Sequence, residues 1–175
     1  MLLNNQTLKR VFLIGFMGSG KTHWGKLLAG NMDTPFFDLD EVIVKAEGKS
    51  IADIFASEGE EYFRYKERDL LEELVENNKR CVVSCGGGTP CFFNNIDFMK
   101  KEGEVIWLNT HIDVLVRRLL RQKSARPIIR LVPDDELKSF ILKKMQDRRL
   151  YYEQADLVIK EENLTLQHLT ELLTN

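Results

Sequence analysis

The stretch Arg10-Val11-Phe12-Leu13-Ile14, followed at once by Gly15-Phe16-Met17-Gly18-Ser19-Gly20-Lys21-Thr22, decides the fold. The first five residues form a short apolar run of the kind that makes a buried strand. The eight that follow match GxxxxGK[ST], whose glycines let successive backbone N–H groups turn inward around a phosphate. A helix opening at Lys21 adds its N-terminal dipole to that anion site. Lys21 is then placed to reach terminal phosphates, and the Thr22 hydroxyl to sit on Mg²⁺. A glycine turn with packing duties alone has no need of Lys-Thr at this spacing.

Working outward, further apolar runs read as strands: Cys81–Cys85, Glu104–Leu108, Leu157–Lys160 and, more weakly, Phe36–Leu39. Helical patterns lie between them. Lys21–Ala29 stops at Gly30, Glu60–Val75 keeps Phe63, Leu70, Leu71 and Leu74 near one face, and His111–Arg121 and Asp135–Gln154 follow. Strands alternating with helices predict an α/β fold, a parallel sheet covered on both faces. Asp40–Tyr62 holds shorter helical pieces, with Ser50 and Asp53 spaced as a shortened capping box. Arg117–Arg130 carries six Arg/Lys residues and no acid, which reads either as a solvated basic face or as a flap that meets a polyanion.

Composition bounds the rest. The 175 residues suit one domain, 1–175, and 43 % apolar content is enough to bury a core. Acids outnumber bases 27 to 25, a formal charge of −2, which argues against a nucleic-acid partner. The longest apolar run is interrupted at Gly15, far short of the ~20 residues a membrane helix needs. The N-terminus turns polar too soon for a signal peptide. Cys81, Cys85 and Cys91 are an odd number in no zinc spacing, so they read as reduced thiols in a cytoplasmic protein.

A GTPase would want DxxG, and no Asp here precedes Gly by three positions. A small-molecule kinase fits better, and its acceptor pocket has four candidate parts. Asp38-Leu39-Asp40 closes the second strand, where i and i+2 side chains share a face and point into the usual ligand crevice. Asp40 is equally placed to cap a helix from Glu41. Arg64 either binds a ligand or pairs along its helix with Glu60 or Glu67. Gly86-Gly87-Gly88 after the third strand either let a ligand approach the backbone or form a generic loop. Arg148 extends the apolar stripe of Leu137, Ile141 and Met145 toward Tyr152, whereas Arg149 points outward within reach of Glu153.

The order GFMGSGKT, FFDLD, FR, GGGT, ARPI and a late Arg before a Tyr-rich helix end resembles the shikimate kinases, from about Arg10 to Asp156. The resemblance implies a three-layer P-loop NTPase fold like that of the nucleoside monophosphate kinases. Its five parallel strands would run in the order 2-3-1-4-5, with a substrate-binding segment near 40–70 and a lid near 119–132. It implies ATP-dependent phosphorylation of the 3-hydroxyl of shikimate in chorismate and aromatic amino-acid synthesis, with Mg²⁺; apart from the resemblance, the chain is expected to act as a monomer. ATP would be held by Gly18, Ser19, Gly20, Lys21, Thr22, His23 and Arg126, the last from the lid. Thr22 would ligate Mg²⁺, with Asp38 reaching the metal through water. Shikimate would be held by Asp40, Arg64, Gly86, Gly87, Gly88 and Arg148. Asp40, Lys21, Arg126 and Asp38 would carry the chemistry, Asp40 orienting or deprotonating the acceptor hydroxyl. Three places depart from the family pattern. His23-Trp24 stand where small or hydroxylated residues are usual, and Cys85 precedes the glycines where Thr or Gly is more usual, which bears on sensitivity to thiol reagents. The Arg117–Arg121 register leaves open whether Arg118 or Arg121 stacks on adenine.

Overall fold

The computed structural model describes residues 10–160 and 164–174. Strand β1 (Arg10–Ile14) leads through the glycine loop into helix α1 (Lys21–Asn31) and then β2 (Phe36–Asp38). Helices α2 (Leu39–Glu47), α3 (Ile51–Ser57) and α4 (Gly59–Asn77) precede β3 (Cys81–Ser84). A 3₁₀ turn (Thr89–Cys91) and α5 (Asn95–Glu102) lead to β4 (Glu104–Leu108), then α6 (Ile112–Arg121). A second 3₁₀ turn (Lys123–Ala125), α7 (Pro127–Arg130), α8 (Leu137–Tyr152), β5 (Leu157–Ile159) and α9 (Leu166–Thr174) complete the chain.

The five strands pair in parallel in the order β2-β3-β1-β4-β5. Val11, Phe12, Leu13 and Ile14 of the central strand are all fully buried, because both faces of the sheet are covered. Alternate residues divide between the two faces. Phe12 and Ile14 join Leu39, Ile43, Ile54, Phe63, Leu71 and Tyr152, whereas Val11 and Leu13 join Leu28, Ile159 and Leu169. Phe16, from the glycine loop, packs with Leu115, Leu119, Ile129, Leu137 and Ile141. One loop residue therefore anchors the phosphate site to the helices that carry the basic segment.

The sequence places each strand within one residue of where it is found, and the helix ends differ more. Helix α1 does not stop at Gly30 but runs to Asn31. The left-handed residue that turns the chain is Asp33 (φ 48°), while Met32 donates its N–H to the Leu28 carbonyl at 2.9 Å. The Ser50 cap is as expected: its hydroxyl accepts the Asp53 N–H at 3.1 Å. Leu119, Leu120 and Arg121, at the start of the expected lid, belong to α6, and the lid-like segment proper begins at the 3₁₀ turn. Among the described residues no helix is long and apolar enough to cross a membrane.

Candidate active site

A cavity of about 390 Å³ opens at the carboxyl ends of the central strands, between the glycine loop and the Gly86–Gly87 turn. This is where a ligand is expected on an open parallel sheet. Gly15 and Gly20 hold φ values of 141° and 90°, and a Cβ at Gly15 would lie 2.7 Å from the Leu108 carbonyl oxygen, so neither position admits another residue easily. Lys21 is buried, and its ammonium lies back on its own loop, donating to the Gly15 carbonyl at 2.8 Å and the Phe16 carbonyl at 3.0 Å. Burial lowers Lys21 to about 8, against the opposing pull of Asp40 and Asp38. Ser19 is fully buried, and its hydroxyl has no hydrogen-bond partner. His23 is exposed at the cavity wall, its ring 5.3 Å from that of Trp24.

Asp38 and Asp40 reach the same cavity by a different route from the one their spacing suggests. The strand ends at Asp38, which caps α2: its Oδ1 accepts the Asp40 N–H at 3.2 Å. Asp40 is therefore in the first turn of α2 and not its cap, because Asp38 has taken that place. The other Asp38 oxygen accepts the Thr22 hydroxyl at 2.7 Å. Thr22 and Asp38 thus form a pair of hard oxygen donors beside the phosphate loop. No group of three or more metal-ligating His, Cys, Asp or Glu side chains exists among the described residues. That fits Mg²⁺, which keeps most of its waters and takes one or two protein oxygens together with substrate phosphates. Asp40 faces the open cavity, yet the walls around it strip enough water to push its carboxyl up to about 6, helped by Asp38 and Glu67.

Glycines 86 to 88 are needed for room and not for conformation, since none has a positive φ. A Cβ at Gly86 would lie 2.8 Å from Glu67 Oε1, one at Gly87 2.9 Å from Arg148 Nη1, and one at Gly88 2.7 Å from Arg64 Nη2. The sequence leaves this turn either to a ligand or to a generic loop; in the structure the place of each missing Cβ is met by a charged side chain of the same chain. Gly86 and Gly87 still line the cavity, whereas Gly88 is buried beside Arg64. Both helix-face partners that the spacing offers Arg64 are taken, Glu60 at 3.2 Å and Glu67 at 2.8 Å. Arg148 Nη1 is buried with no hydrogen-bond partner, its guanidinium 5.4 Å from the Phe16 ring. Arg149 is exposed and pairs with Glu153 at 2.6 Å, the outward placement its helix position requires. Arg126 lines the cavity from the basic segment and donates to Gln122 Oε1 at 2.9 Å. Its burial lowers the guanidinium below its usual range.

The family model described as shikimate kinase matches residues 17–175. The chain is 41 % identical to the shikimate kinase of Azobacteroides pseudotrichonymphae, over 95 % of this chain and 98 % of that protein. The crystal structure of shikimate kinase from Bacteroides thetaiotaomicron superposes with a TM-score of 0.89 at 40 % identity, covering 95 % of this chain and 98 % of the other. The Acinetobacter baumannii enzyme in complex with shikimate gives 0.83 at 30 % identity, covering 95 % and 91 %. The chain belongs to the shikimate kinase family.

Within that shikimate kinase framework, several residues outside the motifs hold the site together. The spacing offers Glu67 only as a helix partner for Arg64, but it is fully buried and also accepts the Thr89 hydroxyl at 2.5 Å, tying α4 to the glycine turn. A Glu on the apolar side of an amphipathic helix is the one sequence signal that could have found it. Tyr152 donates to the Gly87 carbonyl at 2.5 Å, so α8 holds the same turn from another side. Gln122, which engages Arg126, carries no signal. Arg118 lines the cavity and donates to the Gly18 carbonyl at 3.0 Å, while Arg121 is exposed away from it. Cys85 is buried with its sulfur 3.6 Å from that of Met99, and burial pushes its thiol up, so it offers no reactive thiolate.

Proposed function

We propose that the protein transfers the γ-phosphoryl group of ATP to the 3-hydroxyl of shikimate, giving shikimate 3-phosphate and ADP, with the residues above in the following roles. One observation carries the acceptor assignment. Two arginines converge on one glycine turn beside the phosphate loop, and one of them has a buried nitrogen without a partner. A carboxylate on the substrate satisfies that nitrogen, and few other groups do so as well. Arg148 and Arg64 then hold the shikimate carboxylate, and the Gly86–Gly87 backbone borders the ring. Gly88 contributes by making room for Arg64.

Asp40, ionised above about pH 6, accepts a hydrogen bond or the proton from the attacking hydroxyl. Lys21 exchanges its loop carbonyls for the β- and γ-phosphates, and Arg126 exchanges Gln122 for the transferring group. The backbone of Gly18, Ser19 and Gly20 and the N-terminal turn from Thr22 to His23 bind the remaining phosphates, with Arg118 placed to stack on adenine. Thr22, and Asp38 through water, hold Mg²⁺, which when bound neutralises phosphate charge. Closure of the 123–132 segment over the cavity keeps water from the phosphoryl group. The enzyme is cytoplasmic, in keeping with its three free thiols, and we take it to act as a monomer. The test is ADP release by the purified protein, coupled to NADH oxidation, with and without shikimate. Stimulation by shikimate is expected, and intact ATP binding without stimulation would refute the reading.

A further inference from the structure

The residues Phe92-Phe93-Asn94 leave the 3₁₀ turn after the glycines and take no part in the roles assigned above. Their backbone is unusual. Phe93 and Asn94 hold φ values of 49° and 56°, the left-handed region that a bulky aromatic residue rarely enters. Two such residues in succession persist only when their surroundings fix them. The surroundings here are one face of α4. The Phe93 ring stacks on Tyr65 at 4.6 Å, and the Arg68 guanidinium lies 5.2 Å and 5.1 Å from the two rings. One turn earlier on the helix, the Phe92 ring lies 4.3 Å from the Arg64 guanidinium. The kinked loop thus sets two consecutive rings against two arginines spaced i and i+4.

Arg64 is unusually constrained as a result. Phe92 covers its guanidinium at 4.3 Å and Phe63 lies 5.0 Å away. Glu60 takes Nε and one Nη2 proton, and Glu67 takes one Nη1 proton. Of its five N–H donors, one remains on each terminal nitrogen. Those two are the donors left to a substrate carboxylate. Glu60 and Glu67 hold the guanidinium at two points but leave it free to turn about the line between them; the ring against its face removes that freedom.

We propose that Phe92 is a positioning residue for the acceptor: by covering the Arg64 guanidinium it fixes the plane in which the remaining N–H donors meet the substrate carboxylate. The inference rests on the reading of Arg64 as a carboxylate ligand, and it deepens that reading with a residue outside the cavity wall. Because the attraction is between a cation and a π-face, volume alone does not replace it.

The experiment compares Phe92→Leu, Phe92→Tyr, Arg64→Ala and the double variant Arg64→Ala/Phe92→Leu by steady-state kinetics and thermal melting. Phe92→Leu is expected to raise the KM for shikimate roughly three- to tenfold, as loss of a part-buried cation–π contact implies. The KM for ATP and kcat should stay within about twofold, because the ring acts through Arg64 and not through the phosphate loop. Phe92→Tyr, which keeps the π-face, should match the wild type. The double variant should be no worse than Arg64→Ala alone, since the ring acts only through that side chain. If Phe92→Leu melts below the assay temperature, Phe92→Met takes its place with the same expected rise. Equal shikimate KM values for the Leu and Tyr variants, or additive effects in the double variant, would overturn the inference while leaving Arg64 in its role. An Arg64→Ala enzyme with unchanged shikimate KM would instead remove the carboxylate reading, and the inference with it.

Discussion

The two halves of the site are built on different principles. The phosphate loop is one continuous stretch, Gly15 to Thr22, whose backbone makes the site and whose side chains mostly fasten it down. Ser19 is buried, Phe16 is in the core, and Lys21 folds onto its own carbonyls. The acceptor half comes from four separate segments, α2, α4, the glycine turn and α8, and depends on side chains meeting in space. Glu67, Arg64 and Arg148 each occupy the space a Cβ would need at one of three successive glycines. Damage to the first half should therefore weaken ATP binding, and damage to the second should weaken shikimate binding with little effect on ATP. Asp40 is the place where this separation breaks down.

Asp40 faces the cavity shared by both halves, and burial, Asp38 and Glu67 all push its carboxyl up. Asp40→Asn should leave fold and ATP affinity intact while kcat falls on the order of 10²–10⁴-fold, the usual contribution of a positioned base. Single-turnover measurement of phosphoryl transfer with saturating substrates checks this. More than about a tenth of wild-type kcat would show that Asp40 belongs only to the binding half.

The next effect isolates the acceptor half. Arg148→Ala should raise the shikimate KM about tenfold to a hundredfold, from loss of charge-assisted bonds worth roughly 1.5–3 kcal/mol. Arg149→Ala, which removes only an exposed pair with Glu153, should change it less than twofold. Steady-state kinetics with shikimate varied at saturating ATP separates the two, and a larger effect at Arg149 would reverse the assignment of helix faces.

What the sequence revealed follows the same division. The contiguous loop and the apolar strands were legible because each is a local pattern, with a period or a motif that needs no partner. The facing of Arg148 was legible because Leu137, Ile141 and Tyr152 mark a helix stripe. The capping of α2 by Asp38 was not, since Asp38 and Asp40 both suit the cap and only the end of β2 decides between them. The reason for three glycines was also hidden. It lies in side chains some twenty residues before them and sixty after, and no local rule pairs such positions. Gln122 and Phe92 escaped for the same reason: each matters only through the arginine it touches.

The pH profile sharpens the contrast, because one titrating group lies on the phosphate loop and the other, Asp40, lies where the two halves meet. Asp40, raised to about 6, must be ionised to accept a proton, so kcat/KM for shikimate should fall about tenfold per unit as pH drops below 6. Lys21, lowered to about 8, must be charged to attract phosphates, so kcat/KM for ATP should fall as pH rises through 8. These limbs report the free enzyme. In kcat the alkaline limb should move upward, since bound phosphates stabilise the ammonium. A shared alkaline limb at the same pH in kcat would mean that Lys21 does not meet the phosphates.

The smallest effects come from the same substitution made in each half. At Gly88 a Cβ would lie 2.7 Å from Arg64 Nη2, so Gly88→Ala must displace the guanidinium. At the low end of overpacking costs that raises the shikimate KM roughly fivefold while ATP is unaffected. At Gly30, in the last turn of α1, a Cβ meets nothing within 4 Å and φ is not positive. Gly30→Ala should therefore stabilise the protein by about 0.5–1 kcal/mol, through helix propensity and a less disordered unfolded chain. For a chain of this length that is a rise of about 1–4 °C in Tm, with both KM values unchanged. Calorimetric melts and kinetics on the two variants give the comparison directly. A Gly30→Ala protein that melted lower, or that bound ATP more weakly, would mean that α1 transmits its outer end to the phosphate loop. The nucleotide half would then be less self-contained than its single motif suggests.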